Sequence, residues 1–122
     1  MNDLANGDLL IKAQLDGAVA KLLWTGKSAE ANPGAFLNPY LESAIEEASG
    51  QSLRLELDFT EMEYMNSSTV PPLIRALTAM NKGGVSGAIL YKKDLKWQEA
   101  SFKAMENVVK IQNFKGISVS GV

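Results

Sequence analysis

Four consecutive residues, Asn66-Ser67-Ser68-Thr69, set three alcohols and a carboxamide side by side between Tyr64-Met65 and a run with helical spacing. Side chains of these types serve two purposes. They cap a helix, because a side-chain oxygen accepts a hydrogen bond from a backbone N–H that the first turn leaves free. A hydroxyl displayed on a surface can also be modified. A cap needs one such side chain, and here there are four. They are followed by Pro71-Pro72, where a helix start usually carries one proline. Pro72 disfavours helical dihedrals at Pro71, so an irregular first turn with exposed hydroxyls is predicted. A helix N-terminus is also a natural seat for an anion.

Other chemistries are poorly supplied. The chain has no cysteine and no histidine, which excludes disulfides, thiolate nucleophiles and the commonest zinc ligands. A serine nucleophile would need a Lys or carboxylate base, and neither a Ser-x-x-Lys nor a Gly-x-Ser-x-Gly pattern occurs. There is no P-loop and no dinucleotide fingerprint. Neither enzymatic activity, nor a cofactor, nor a metal is expected.

The formal charge of −2 and a pI near 5.1 argue against nucleic acid, whose phosphates need a clustered basic face. The basic residues are scattered. Only Lys92-Lys93 stands out, and it reads as a solvated strand end. No run approaches the ~20 apolar residues of a membrane span, and the start MNDLANGDLL lacks the basic n-region of a signal peptide. No membrane association and a cytoplasmic location are expected.

The elements that must position the hydroxyls follow from periodicity. At 122 residues one domain is expected, over 9–122, behind a loose polar lead at 1–8. Residues 9–15 and 18–24 read as strands joined at Asp16-Gly17 by a type I′ turn. A loop follows, and then a helix capped by Asn38 with Pro39 in its first turn and Tyr40, Leu41, Ala44, Ile45 and Ala48 on one face. Residues 53–59, LRLELDF, alternate cleanly. One face of that strand is polar, so helices are expected chiefly on the other.

TEMEY then reads as a connection. A second helix lies within 67–81, with Val70, Leu73, Ile74, Leu77 and Met80 at helical spacing. GAILY at 87–91 is a strand. Asp94 caps a third helix whose face holds Trp97, Ala100, Ser101, Ala104, Met105 and Val108. A last short strand falls near 117–120. The order β-β-α-β-α-β-α-β predicts an α/β fold: a mixed sheet opened by a hairpin and continued by β-α units.

With the elements in place, residues 57–69, LDFTEMEYMNSST, resemble the signature of the STAS domain family, which includes bacterial anti-sigma-factor antagonists. In that pattern a strand ends Leu-Asp-Leu-Ser, a short hydrophobic connection follows, and Asp-Ser-Ser-Gly opens a helix. Leu57, Asp58, Ser67 and Ser68 match. Thr60 stands for the first serine, Asn66 for the aspartate and Thr69 for the glycine. Roughly residues 9–120 fit the element order. Asn-Ser-Ser variants look similar to regulators paired with their own kinase and phosphatase.

The resemblance implies a STAS-like sheet and a non-enzymatic, protein-binding regulator. It implies phosphorylation at Ser68, with Ser67 and Thr69 as alternatives. The implied partners are an anti-sigma-factor-like serine/threonine kinase and a cognate phosphatase. Asn66 is expected to cap, and Asp58 to support the site by orienting the acceptor or a Mg²⁺ brought with the kinase's nucleotide. The competing expectation is a scaffold or small-ligand module of the same fold, without phosphorylation.

Overall fold

The computed structural model describes all 122 residues. Six strands form one sheet: β1 (Leu4–Asn6), β2 (Leu9–Asp16), β3 (Val19–Ser28), β4 (Arg54–Met65), β5 (Gly87–Tyr91) and β6 (Ile117–Gly121). Three helices join them: α1 (Gly34–Gly50), α2 (Val70–Lys82) and α3 (Lys96–Ile111). The strands lie in chain order. β1, β2 and β3 pair antiparallel, and β3 through β6 pair parallel. Each parallel step needs a crossover, and a helix supplies each one.

The inward row of β3 (Ala20, Leu22, Trp24) meets that of β4 (Leu55, Leu57, Phe59) in one core with the buried faces of the helices. Trp24, Phe59, Phe102 and Tyr91 form a chain of ring contacts through it, with centroids 4.6, 4.9 and 5.3 Å apart. The opposite face carries Lys12, Lys21, Glu56 and Ser118, none of them buried. The polar alternation of LRLELDF therefore identified the uncovered side. No helix is long and apolar enough to cross a membrane.

Several expectations are corrected. Residues 4–6 of the expected loose lead are a strand, held by Ala13 N–H on the Asp3 carboxylate (2.8 Å) and by Tyr40 Oη on the Asn2 carbonyl (2.7 Å). In the hairpin, Asp16 pairs with Val19, so the turn residues are Gly17 and Ala18. Only Gly17 has positive φ (61°), the pattern of a type II′ turn with glycine first.

α1 begins at Gly34, so Pro39 lies inside the helix and Asn38 is no cap. Leu37 extends the buried stripe one turn upstream, and that apolar contact outweighs the proline's missing bond. α3 starts after Leu95, and its buried residues are Gln98, Phe102, Met105 and Val109. The stripe is rotated by one residue from that expected, because Phe102 seats against Phe59 and Tyr91 while Trp97 stays half-exposed.

Candidate functional site

The hydroxyl run stands where β3 and β4 end together. β4 is twelve residues long, so TEMEY is strand and not connection. The sequence disguised it. Inward residues come every second position at Leu55, Leu57 and Phe59, then every third at Met62 and Met65. The change of period marks two bulges. Between Leu23 and Thr25 of β3 the partners step from Asp58 to Glu61, and between Gly26 and Lys27 from Met62 to Tyr64. Each step inserts one extra residue into β4, which keeps Met62 and Met65 turned inward.

The first bulge explains Asp58. Its Oδ1 accepts the Thr60 N–H (2.9 Å) and the Thr60 hydroxyl (2.6 Å), while Oδ2 pairs with Lys21 Nζ at 3.1 Å. Asp58 is only 7% exposed. Burial by itself raises its pKa, but the Thr60 hydrogen bonds and the Lys21 ammonium outweigh that and hold the carboxyl below its usual value. The residue sits mid-strand on the uncovered face, eight positions before Asn66. At ~3.3 Å per residue this is about 25 Å along the strand. The structure does not bring Asp58 together with the serines; its carboxylate is occupied in shaping β4.

Gln98 secures the rest of the bulged segment. Fully buried on α3, it donates from Nε2 to the carbonyls of Phe59 (2.9 Å) and Met62 (3.2 Å). Its Oε1 accepts the Lys92 N–H at 2.7 Å. β5 pairs with β4 only as far as Asp58, so these carbonyls lie beyond the sheet's own hydrogen bonds.

At the end of β4, the Asn66 N–H donates to the Ser28 carbonyl (2.9 Å). Ser67–Thr69 then form a 3₁₀ turn leading into α2, which is the irregular first turn predicted from the double proline. Pro71 and Pro72 fall at the second and third residues of α2, where backbone N–H groups have no partner within the helix.

The four polar side chains divide sharply. Thr69 is 0% exposed; its hydroxyl donates to Asn66 Oδ1 (2.8 Å) and lies 2.7 Å from Ser28 Oγ. Since the Thr69 proton goes to Asn66, Ser28 is the donor in the second bond. Asn66 Nδ2 in turn donates to the Glu30 carbonyl (2.8 Å). Contrary to the expectation, Asn66 caps no backbone N–H; its carboxamide oxygen instead accepts the Thr69 hydroxyl.

Ser67 and Ser68 stand outside this network, exposed, on a turn that no side chain caps. Ser68 borders a shallow depression of about 400 Å³ between the starts of α1 and α2, shared with Asn32, Asn38, Pro71 and Arg75. Tyr64, 47% exposed, contacts Trp97 with ring centroids 6.4 Å apart. Tyr64 lies three residues before Ser67, and a partly exposed aromatic pair is the type of surface on which partners anchor.

Sequence reasoning missed Ser28, Gln98 and Arg75. Ser28 was findable, since Ala20, Leu22, Trp24, Gly26 and Ser28 form a period-two row that ends in a lone hydroxyl facing inward. Gln98 carried no such signal, because its partners are backbone carbonyls exposed by a bulge.

No protein-family model and no curated protein matches the chain in sequence. Solved structures do match. An anti-sigma factor antagonist from Mycobacterium paratuberculosis superposes with a TM-score of 0.59 at 14% identity, over 94% of this chain and 90% of that one. A chain from the complex of the diguanylate cyclase SiaD with its activator SiaC, from Pseudomonas aeruginosa, gives 0.66 at 13% identity over the full length of both. A DUF3478 protein of Shewanella loihica with a SpoIIAA-like fold gives 0.51 at 11% identity, over 96% and 90%. The chain therefore has the SpoIIAA-like, STAS-type fold that anti-sigma factor antagonists share.

Proposed function

We propose that this protein is a non-enzymatic, protein-binding switch of the anti-sigma-factor-antagonist type, controlled by phosphorylation at the start of α2. One observation carries the reading. Asn66 and Thr69 are committed to structural hydrogen bonds, while Ser67 and Ser68 between them are exposed and serve no capping role. Two alcohols that the fold does not use stand exposed where β4 turns into α2.

Ser68 is the proposed acceptor, with Ser67 the alternative. Thr69 would have to leave the interior first. A partner serine/threonine kinase would transfer the γ-phosphoryl group of ATP to Ser68 Oγ. The O–P bond forms as the bond to ADP breaks, and the hydroxyl proton passes to a base of the kinase. A phosphatase would return the serine and release inorganic phosphate.

The magnitudes suit a switch. A phosphoserine adds nearly two negative charges at neutral pH. The dipole of α2 offsets part of that, typically about 0.3–1 kcal/mol, so the fold survives. A complex covering this hydroxyl would have to strip the added charge of water, a penalty on the order of several kcal/mol. Each ~1.4 kcal/mol is tenfold in affinity. Binding breaks while the domain stands.

A second reading concerns the partner. The SiaD–SiaC complex contains a chain of this fold, so the protein bound can be an enzyme that is switched on by docking. Phosphosite mapping by intact mass and peptide sequencing, after co-expression with candidate kinases, tests the main proposal. One added phosphate that is lost in Ser68→Ala supports it. No phosphate with a kinase that binds the chain overturns it.

A further inference from the structure

We infer that the depression between the starts of α1 and α2 is a receptacle for a phosphomonoester on Ser68, with Arg75 as the cation that receives it. The inference rests on the reading of Ser68 as acceptor and adds where its phosphate goes.

Ser68 and Arg75 both line the depression, seven residues apart. Side chains of a helix lean back towards its N-terminus, so the Arg75 side chain, now on Glu42, has the direction to reach the serine. The residues between them on this wall are Pro71 and Pro72, whose compact rings leave the path open. At about 400 Å³ the space is many times the ~10–15 Å³ needed to seat one water, ample for a phosphoryl group.

Arg75 is engaged, but loosely. Its Nε (3.2 Å) and Nη2 (2.7 Å) both donate to one oxygen of Glu42, Oε1, with the two side chains 63% and 48% exposed. Such exposed pairs are weak and readily exchanged. A phosphate presents nearly twice the charge and three acceptor oxygens, and the guanidinium fork suits it better than a single carboxylate oxygen. Across the depression, Asn38 has its carboxamide oxygen shut off without a partner, and its Nδ2 lies beside the rim residue Gly34. That leaves an N–H donor on the wall opposite Arg75.

The consequence reaches beyond the modified turn. When Arg75 moves to the phosphate, Glu42 loses its counter-ion. Glu42 and Glu46 both border the neighbouring groove between α1 and α2, beside Ala79 and Gly83. Phosphorylation would thus make the paired-helix surface more acidic one turn further along.

The test installs phosphoserine genetically at position 68, and separately at 67, in the full chain, so no kinase is required. The phosphorus NMR titration of each phosphate is then followed. The expected second pKa at 68 lies about half a unit or more below that at 67, because a cation favours the dianion. Arg75→Gln should abolish the difference and leave the phosphate at 67 unmoved. Glu42→Gln, which removes the competitor, should preserve or enlarge it. Equal titration at both positions, or a phosphate at 68 indifferent to Arg75→Gln, overturns the receptacle. Arg75 is largely exposed, so its variant folds. Mapping the natural phosphate to Ser67 would defeat the Ser68 reading without altering this titration, so the two failures are distinguishable.

Discussion

Ser28 Oγ and Thr69 Oγ1 lie 2.7 Å apart in the interior, joining the last residue of β3 to the turn that opens α2. With Asn66 and the Glu30 carbonyl they form a directed chain, Ser28 to Thr69 to Asn66 Oδ1, with Asn66 Nδ2 donating onward to Glu30. Ser67 and Ser68, between Asn66 and Thr69, are thus anchored through the buried hydroxyls of Ser28 and Thr69.

Thr69→Val keeps the shape and removes the hydroxyl, leaving Ser28 Oγ buried without its partner. Urea denaturation should show a loss of about 1–3 kcal/mol. Ser28→Ala combined with Thr69→Val should lose less than the sum of the single variants, because both ends of the bond are then apolar. Strict additivity would mean that the two hydroxyls do not interact.

Ser67→Ala and Ser68→Ala should behave differently. Both side chains are exposed and cap nothing, so each variant should unfold within about 0.5 kcal/mol of the parent. A loss above 1 kcal/mol in the same urea experiment would assign the serines a structural duty and weaken their availability for modification.

Asp58 sets a pH dependence. Its folded pKa is lowered from 3.8, so near that value the unfolded chain binds more protons than the folded one. The stabilisation is complete above about pH 4 and is lost as the pH falls through the folded value. Asp58→Asn should therefore destabilise the protein at pH 7, and the gap to the parent should narrow below about pH 4. Denaturation curves from pH 7 to 2.5 check this, and a gap independent of pH would rule it out.

Gln98→Leu preserves bulk but strips three backbone groups of their partner, the Phe59 and Met62 carbonyls and the Lys92 N–H. A loss of at least about 2 kcal/mol is expected. Amide exchange should accelerate in residues 60–65, while the α1 amides keep their protection. Uniform acceleration across the chain would instead indicate a purely global effect.

Gly87→Ala tests the β4–β5 seam. A Cβ there would collide with the Leu55 carbonyl oxygen, and a backbone atom in a parallel ladder has little freedom to withdraw. The variant should lose about 3 kcal/mol or more, or accumulate as insoluble protein. A soluble variant with the parent's thermal midpoint would show that the β4–β5 seam can open to admit a methyl group.

Much of the frame was legible because it depends on local periodicity. LRLELDF announced a half-covered strand, GAILY a further strand, and the double proline an irregular entry to α2. The errors arose where tertiary contact overrode a local signal. TEMEY has no simple alternation because two bulges stretch its inward spacing from two to three. Pro39 looks like a helix start, yet Leu37 finds the core one turn earlier. Trp97 looks like the anchor of α3, but Phe102 fits the ring cluster better.

By itself the sequence determined the mixed α/β architecture, the uncovered side of the sheet, and the presence of a hydroxyl-rich turn at the head of α2. Those features follow from the order of residues along one strand or one helix. Only the tertiary structure decided which alcohols are free. Thr69 and Ser67 differ little as residues, but one meets Ser28 from a strand forty-one positions away and the other meets water. Burial and hydrogen-bond partners are properties of the surroundings, and neighbours distant in sequence become neighbours in space only when the chain has folded.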